Sequence, residues 1–265
     1  MADDHALAGE LAEQAGQRLL ELRSRGGSGD KPDVLRKAGD RLSHEFLVAE
    51  LARRRPGDVV LSEEAADDPA RLAAQRVWIV DPLDGTREFG EPGRTDWAVH
   101  VALWERCDTE GNGDLTAGAV ALPGQGYVLS TTTTGSGGGP VPAAGRGRGD
   151  QPLRVVVSRT RAPRFVQDIS DMIDVELIPL GSAGAKVAAV VGGDADAYIH
   201  GGGFYEWDTA APVAVARAAG FYASRIDGSA LAYNQADLLM PDILVCRPSL
   251  AGPLLQAIRE VTHAS

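Results

Sequence analysis

The sequence predicts a layered α/β (α+β) protein, and three patterns carry that prediction. Apolar residues recur at helical spacing near the start of the chain and predict an amphipathic helix over about 5–24; they are Leu7, Leu11, Ala15, Leu19 and Leu22. The short apolar run from Val77 to Val80 predicts a buried strand. In the second half of the chain, predicted strands alternate with predicted helices, an order typical of layered α/β arrangements.

The N-terminal half is predicted to hold two helices followed by five strands. Glycines at positions 26, 27 and 29 end the first helix, and a second helix is predicted over about 40–54, with Leu42, Phe46 and Ala49 on one face. Strands are predicted over about 59–61, 77–80, 97–104, 117–122 and 127–132. The last two are expected to pair through the Pro-Gly-Gln-Gly turn at 123–126.

A change of composition divides the chain. Residues 131–152 are rich in Thr, Gly and Ser and predict a flexible surface loop. This loop is expected to separate an N-terminal portion, 1–150, from a C-terminal portion, 151–265. In the second portion, strands are predicted over about 153–157, 176–179, 195–199 and 242–246, and helices over about 160–173, 182–191, 208–219 and 249–262.

Composition excludes several classes of protein. The 265 residues include 26 basic and 37 acidic side chains, a net charge of −11. Such a charge disfavours nucleic-acid polymers and anionic membranes as partners, but it leaves a small anionic substrate open because bound metal reverses the local charge. No apolar run approaches the roughly 18 residues of a membrane span, and the acidic start is unlike a secretory signal. Two cysteines indicate a reduced, cytoplasmic protein.

The strongest chemical motif follows the strand at 77–80. Asp81 and Asp84 lie three residues apart on a tight turn, so their carboxylates, with the free carbonyl of Leu83, can converge on a hard cation such as Mg²⁺. A helix starting after Gly85 would turn the N–H groups of Gly85 and Thr86 toward an anion. The alternative is a purely structural turn in which Asp84 caps the helix.

Two further acidic features strengthen the metal hypothesis. Glu63 and Glu64 end the preceding strand, and Asp208 begins an alanine-rich helix. Each also has a structural explanation, since Asp208 can be an N-cap and the glutamates can be a solvated strand end. The five histidines show no zinc-ligand spacing.

Taken together, these motifs resemble the inositol monophosphatase superfamily of metal-dependent, lithium-sensitive phosphatases. The resemblance rests on Glu63-Glu64, on the Asp-Pro-Leu-Asp-Gly-Thr segment at 81–86 and on Trp-Asp-Thr-Ala-Ala at 207–211. It implies the αβαβα sandwich of the inositol monophosphatase and fructose-1,6-bisphosphatase type. The Arg-Glu-Phe at 87–89 and the segment from Gly181-Ser182 to Lys186 resemble the CysQ-type 3′(2′),5′-bisphosphate nucleotidase branch.

The resemblance also implies roles for matching residues. Glu63, Asp81 and the Leu83 carbonyl would hold one Mg²⁺, and Asp81, Asp84 and Asp208 a second, with two or three ions per site. Thr86, hydrogen-bonded to Asp40 or Glu63, would orient the attacking water, and Asp40 matches the acid that activates it. The residues expected to contact substrate are Gly85, Thr86, Arg87, Ser158, Arg159, Ser182, Lys186 and Asp208.

The activity implied is Mg²⁺-dependent removal of the 3′-phosphate from 3′-phosphoadenosine 5′-phosphate, in sulfate assimilation. Inositol-1-phosphate and fructose-1,6-bisphosphate are the alternative substrates for the same metals. An alternative of another class is a non-catalytic protein that binds a phosphate ligand. A homodimer and a cytoplasmic location are also expected.

Overall fold

The structure is a computed structural model that describes residues 3–25, 32–132, 151–160 and 162–263. Residues 133–150, most of the predicted loop, lie outside this part. Two helices open the chain: α1 (Asp4–Arg25) and α2 (Pro32–Arg54). The second begins at Pro32, not at about 40 as predicted. A proline suits the first turn of a helix, and Val34 there is 59% exposed, so the apolar periodicity starts too late to reveal this turn.

The first sheet has five strands in sequence order: β1 (Val59–Ser62), β2 (Arg76–Asp84), β3 (Ala98–Arg106), β4 (Gly113–Leu122) and β5 (Tyr127–Ser130). β1 and β2 are parallel, and the other neighbours are antiparallel. A 3₁₀ turn at Pro123–Gln125 joins β4 to β5, which confirms the predicted pairing. Helix α3 (Thr86–Phe89) follows β2 directly.

The second half contains seven strands and four helices among the described residues. In chain order these are β6 (Leu153–Ser158), α4 (Arg164–Met172), β7 (Val175–Leu180), α5 (Ala183–Gly192), β8 (Ala197–His200), β9 (Phe204–Tyr205), α6 (Glu206–Ala218), β10 (Tyr222–Ser224), β11 (Leu239–Met240), β12 (Ile243–Cys246) and α7 (Pro248–His263). The second sheet has the order β10-β12-β8-β6-β7, while β9 and β11 form a separate ladder. Helix α4 starts later than predicted, after Pro163.

The alternation of side chains along the strands builds five layers. On β2, Trp78 and Val80 pack in one core with α1 and α2, whereas Val77 and Ile79 face a second core with α5 and α6. That second core also receives Val156 and other residues of the second sheet. Helices α4 and α7 cover the far side of that sheet in a third core. The predicted αβαβα sandwich is therefore confirmed. No helix in the described ranges has the length and apolarity to cross a membrane.

Candidate active site

A bulge at the end of β2 presents two carboxylates. Across the β2–β3 ladder Asp81 pairs with His100 and Asp84 with Ala98, so the register shifts between the two aspartates. The N–H of Leu83 donates to Asp81 at 3.0 Å. Gly85 then adopts φ +81° and caps α3, so it occupies the position that the structural alternative gave to Asp84. Asp84 is therefore not the N-cap of α3, and its Oδ2 accepts hydrogen bonds from Ser182 and Gly184 instead.

A cavity of about 610 Å³ collects most of the predicted site residues. Of those residues, Asp40, Ser182 and Lys186 are absent from its lining. The lining comprises Glu63, Asp81, Leu83, Asp84, Gly85, Thr86, Arg87, Glu88, Ser158, Arg159, Thr160, Gly181 and Asp208. Gly85 is required here because a Cβ would come within 3.2 Å of Asp96 O, Trp97 Cα and Ser182 Cβ. Chain segments from both sheets therefore meet at one cavity.

The carboxylates in this cavity repel one another. Glu63 is an exposed residue, but partial desolvation of its carboxyl and then the charge of Asp208 raise its pKa to about 8. Burial and the charges of Glu63, Asp84 and Asp208 hold the pKa of Asp81 well above its usual range. A cluster of oxygen donors that destabilise one another's charged forms suits a hard divalent cation, whose charge reverses the repulsion. The donor set at this site therefore fits Mg²⁺.

Thr86 and Asp40 form a pair at the edge of the cluster. The hydroxyl of Thr86 donates to the carbonyl of Leu83 at 3.0 Å and lies near enough to the Asp40 carboxyl to affect its pKa. Burial and the charge of Glu64 raise the pKa of Asp40 to about 7, while the Thr86 hydroxyl works in the opposite direction. The hydrogen bond from Thr86 to Asp40 stays a prediction, since the hydroxyl donates to Leu83 in this structure.

Asp208 reaches the cavity from the first turn of α6. The helix begins at Glu206, before the predicted start, so Asp208 is the third residue of the helix and not its N-cap. Its Oδ2 accepts the backbone N–H of Tyr205 at 2.6 Å, one half of a reciprocal capping arrangement. The carboxylate therefore serves the helix end while it lines the cavity.

Ser182 and Gly184 hold Asp84 from the side of α5. The Ser182 hydroxyl donates to Oδ2 of Asp84 at 2.5 Å, and the N–H of Gly184 donates to the same oxygen at 3.1 Å. Ser182 also caps α5 by accepting the N–H of Ala185 at 3.0 Å. The predicted site residue Ser182 thus contacts a candidate metal ligand.

Lys186 lies behind the cavity wall. It is 3% exposed, and its ammonium donates to the carbonyls of Gly181 and Ser182, the latter at 2.9 Å. It also lies over the ring of Tyr198, with Nζ 5.3 Å from the centroid. Burial lowers its pKa to about 8. Any effect of this charge on substrate must act from behind Gly181 and Ser182.

Two arginines lie at the cavity itself. Arg87 is exposed, whereas Arg159 donates to Glu88 at 2.7 and 3.0 Å and to Glu91 at 2.8 Å. Both glutamates raise the pKa of the Arg159 guanidinium. Ser158 is buried at the end of β6. Arg159 therefore already has anionic partners, which a phosphate would have to displace or share.

His100 is a residue that the sequence did not single out. It is fully buried on β3, with Nδ1 3.2 Å from the carbonyl of Trp207 and Nε2 3.3 Å from Oδ2 of Asp84. Asp81, Asp84 and His100 each offer a ligand atom within 4.8 Å of the others. Burial lowers the pKa of its imidazole. Only the β2–β3 register, which the spacing of histidines does not contain, places it opposite Asp81.

Comparison with known proteins agrees with this geometry. Residues 4–263 match the profile of the inositol monophosphatase family, and the chain belongs to that family. Its members depend on metal ions for catalysis, so the chain falls in a class of metal-dependent phosphatases. The chain is 52% identical over 263 residues to a 3′-phosphoadenosine 5′-phosphate phosphatase of Mycobacterium leprae (strain TN), covering 97% of this chain and 94% of that protein.

Two more distant proteins give the same assignment to the family, and a third shares the fold. The chain is 31% identical over 239 residues to the 3′(2′),5′-bisphosphate nucleotidase CysQ of Escherichia coli (strain K12), covering 85% of this chain and 92% of that one. A crystal structure of CysQ from Bacteroides thetaiotaomicron superposes with a TM-score of 0.74 at 26% identity, covering 93% and 98%. Inositol monophosphatase II of Staphylococcus aureus superposes with a TM-score of 0.78 at 20% identity, which concerns the fold alone.

Proposed function

We propose that this chain is a Mg²⁺-dependent phosphatase that removes the 3′-phosphate of 3′-phosphoadenosine 5′-phosphate to give AMP and phosphate. The observation that carries the proposal is the convergence of Glu63, Asp81, Asp84 and Asp208 on one cavity with Thr86. The substrate is proposed from the relative of 52% identity, whose name states that activity.

The proposed metal ligands follow the geometry of the cavity. Glu63, Asp81 and the Leu83 carbonyl would hold one Mg²⁺, and Asp81, Asp84 and Asp208 a second. When bound, these ions supply charge neutralisation of the phosphate and a lowered pKa for a bound water. Asp81 would belong to both sets, as the family resemblance implies, and it is the most deeply buried of the four carboxylates.

Thr86 is proposed to orient the water, and Asp40 to accept its proton. A hydroxyl carries one hydrogen and two lone pairs, so Thr86 can donate to Leu83 or to Asp40, but not to both at once. Donation to Asp40 leaves the Leu83 carbonyl to a cation and turns a Thr86 lone pair toward a water hydrogen. A pKa near 7 suits Asp40 to act as a base near neutral pH.

A bisphosphate nucleotide also needs a second anion site away from the metals. Arg159 and Arg87 line the cavity, and charge-assisted bonds from guanidinium groups to phosphate are among the stronger hydrogen bonds. Ser158 and the Gly85–Thr86 backbone are the neutral donors proposed beside them. Lys186 has the weaker geometric support because its ammonium already donates to two carbonyls.

Steady-state hydrolysis of three substrates tests the proposal. With Mg²⁺, we expect kcat/KM for the bisphosphate nucleotide to exceed that for inositol-1-phosphate and fructose-1,6-bisphosphate by at least about a hundredfold, the effect of one or two charged contacts. EDTA should abolish phosphate release. Preference for inositol-1-phosphate would favour the first alternative, and binding without any phosphate release would favour a non-catalytic protein. The homodimer and the cytoplasmic location stay predictions.

A further inference from the structure

We infer that His100 is a positioning residue that fixes the separation between Asp84 and Asp208 and thereby sets the affinity of the second Mg²⁺ site. This inference rests on the proposed function, which assigns both aspartates to that site. One imidazole spans two chain segments that are far apart in sequence. Its Nδ1 is 3.2 Å from the carbonyl of Trp207, the residue before Asp208, and its Nε2 is 3.3 Å from Asp84.

The imidazole has little room to move. His100 is 0% exposed and lies on the central strand β3, paired with Asp81 on one side and with Val120 on the other. A Cβ at Gly184 would lie 2.3 Å from Nε2, so α5 approaches the ring as closely as a glycine permits. A ring fixed in this way restrains the positions of both contacted segments relative to the sheet.

The two ring nitrogens make different contacts: Nδ1 is hydrogen-bonded to the Trp207 carbonyl, whereas Nε2 lies 3.3 Å from Oδ2 of Asp84 without a hydrogen bond. A carbonyl only accepts hydrogen bonds, so Nδ1 donates to the segment before Asp208, and the opposite edge of the same ring packs against Asp84. In metal sites, groups that hold the ligands in this way commonly change metal affinity by about 10–100-fold when they are removed. His100 can therefore affect the Mg²⁺ affinity of the site without contacting substrate.

Direct ligation by His100 is less consistent with the contacts. Oδ2 of Asp84, the oxygen nearest to Nε2, already accepts the Ser182 hydroxyl and the Gly184 N–H. An ion between Asp84 and His100 would need the lone pairs that those donors occupy. Nδ1, in turn, faces a backbone carbonyl. The contacts thus favour a structural link between two ligands.

Calorimetric titration of the metal-free protein with Mg²⁺ tests the inference without any substrate. The His100→Phe variant keeps a ring but removes both polar contacts, and we expect it to weaken one of two Mg²⁺ sites by about 10–100-fold while the other keeps its affinity. The His100→Gln variant, which keeps a donor at similar length, should recover part of the loss. Leu244→Ala, a buried change in the third core, is the matched control and should leave both affinities unchanged.

Several outcomes would overturn the inference. Unchanged Mg²⁺ affinities in His100→Phe, with a lower Tm only, would mean that His100 serves packing. Equal loss at both sites would mean that the whole centre had collapsed. A selective loss of Mn²⁺ or Zn²⁺ over Mg²⁺ would mean that the imidazole is itself a ligand, because imidazole favours those metals. If His100→Phe does not fold, His100→Asn, too short to contact both segments, must give the same selective loss.

Failure of the proposed function would look different. A wild-type protein that binds two Mg²⁺ ions but does not hydrolyse the bisphosphate nucleotide would refute the activity and leave the role of His100 intact. In an active protein, the Mg²⁺ concentration for half-maximal activity should rise in His100→Gln while KM for the nucleotide stays within about twofold, since uniform substrate binding is untouched. A rise in KM alone would contradict the inference.

Discussion

The hydroxyl of Ser182 donates a 2.5 Å hydrogen bond to the carboxylate of Asp84, and this bond joins the start of α5 to the bulge of β2. Ser182 also caps α5. We expect Ser182→Ala to lower the free energy of unfolding by about 0.5–2 kcal/mol through the lost cap. It should also weaken Mg²⁺ binding by about tenfold through the loosened Asp84.

Urea unfolding and calorimetric Mg²⁺ titration measure the two effects of Ser182→Ala separately. Ser182→Thr keeps the hydroxyl and is the control. Loss of stability with unchanged Mg²⁺ affinity would show that the bond to Asp84 does not support the metal site.

The stability of the metal-free protein should fall as pH rises. The pKa values of Glu63 and Asp40 in the folded state are about 8 and about 7, above ordinary values of 4.5 and 3.8. Between the ordinary pKa and the folded-state pKa of each group, the folded state binds more protons than the unfolded state. Its stability therefore decreases with rising pH until both groups are ionised. Urea unfolding in EDTA from about pH 5 to about pH 8 measures this slope.

Mg²⁺ should remove most of that slope, because it stabilises the ionised carboxylates of the cavity. Part of the pH dependence of stability should remain with Mg²⁺ bound, because Glu206 contributes to it. Burial raises the pKa of Glu206 to about 7, although hydrogen bonds from the N–H groups of Gln235 and Asn234 act to lower it. Glu206 does not line the cavity, so Mg²⁺ should leave its contribution in place. A slope that is the same with and without Mg²⁺ would contradict the assignment of Glu63 to the metal site.

Asp81→Asn should separate stability from activity. Removing one charge from the cluster relieves repulsion, so the metal-free variant should be more stable than the wild type. The variant should lose orders of magnitude in kcat and most of the stabilisation by Mg²⁺, because both proposed sites lose the same ligand. Thermal unfolding with and without Mg²⁺ and phosphate release check this. Near wild-type activity at ordinary Mg²⁺ would refute the bridging role.

The two cations Arg159 and Lys186 should respond differently to substrate. Arg159→Met should reduce kcat/KM for the bisphosphate nucleotide by about ten- to hundredfold, the effect of one charge-assisted contact, and hardly change hydrolysis of inositol-1-phosphate. Lys186→Met should affect both substrates alike, because Lys186 holds the Gly181–Ser182 backbone. A penalty on the nucleotide alone would show that Lys186 binds the second phosphate after all.

Glu91→Gln is the matched variant for Arg159. It removes one of the two anionic partners of Arg159, at 2.8 Å, and leaves Glu88 in place. The freed guanidinium should lower KM for the nucleotide and leave KM for inositol-1-phosphate unchanged. A higher KM for the nucleotide would mean that Glu91 orients Arg159 instead of competing for it.

Lithium should inhibit the enzyme at millimolar concentration and low Mg²⁺. The resemblance implies that Li⁺ replaces one Mg²⁺, and its single charge neutralises less of the carboxylate cluster. We expect uncompetitive inhibition against substrate. In Ser182→Ala the apparent inhibition constant should change, because Asp84 is a proposed ligand of the second site. Full activity under these conditions would count against the two-metal assignment.

Local periodicity predicted most of the helices and strands, whereas the five-layer order followed from the family resemblance. Leu7, Leu11 and Leu19 are buried on α1 as their spacing requires, and the β2 strand, predicted over 77–80, is buried. The strand nevertheless continues to Asp84, since the ladder with β3 resumes beyond a bulge that no local pattern reveals. The short strands β9, β10 and β11 were missed because they depend on tertiary pairing, whereas the helix considered after Gly85 is α3.

In the site, too, local features could be predicted and tertiary contacts could not. The acidic motifs identified the carboxylates, because strand ends and turns are local features. The contacts of Asp84 with Ser182 and His100 arise only when α5 and β3 meet the bulge, so the sequence could name Ser182 by resemblance alone and not His100. The ion pair between Arg159 and Glu88 likewise joins residues 71 positions apart, which only the tertiary fold brings together.

The candidate metal ligands come from two regions of the fold, and this affects how the protein unfolds. Asp81 belongs to the first sheet, and Asp208 to a helix that is packed between the two sheets. An ion held by both aspartates can stay bound only while both regions are folded. Unfolding either region therefore costs the free energy of metal binding, and this couples the unfolding of the two regions. Magnesium should therefore merge any separate melting of the two halves into a single transition, and its removal should let one half open before the other.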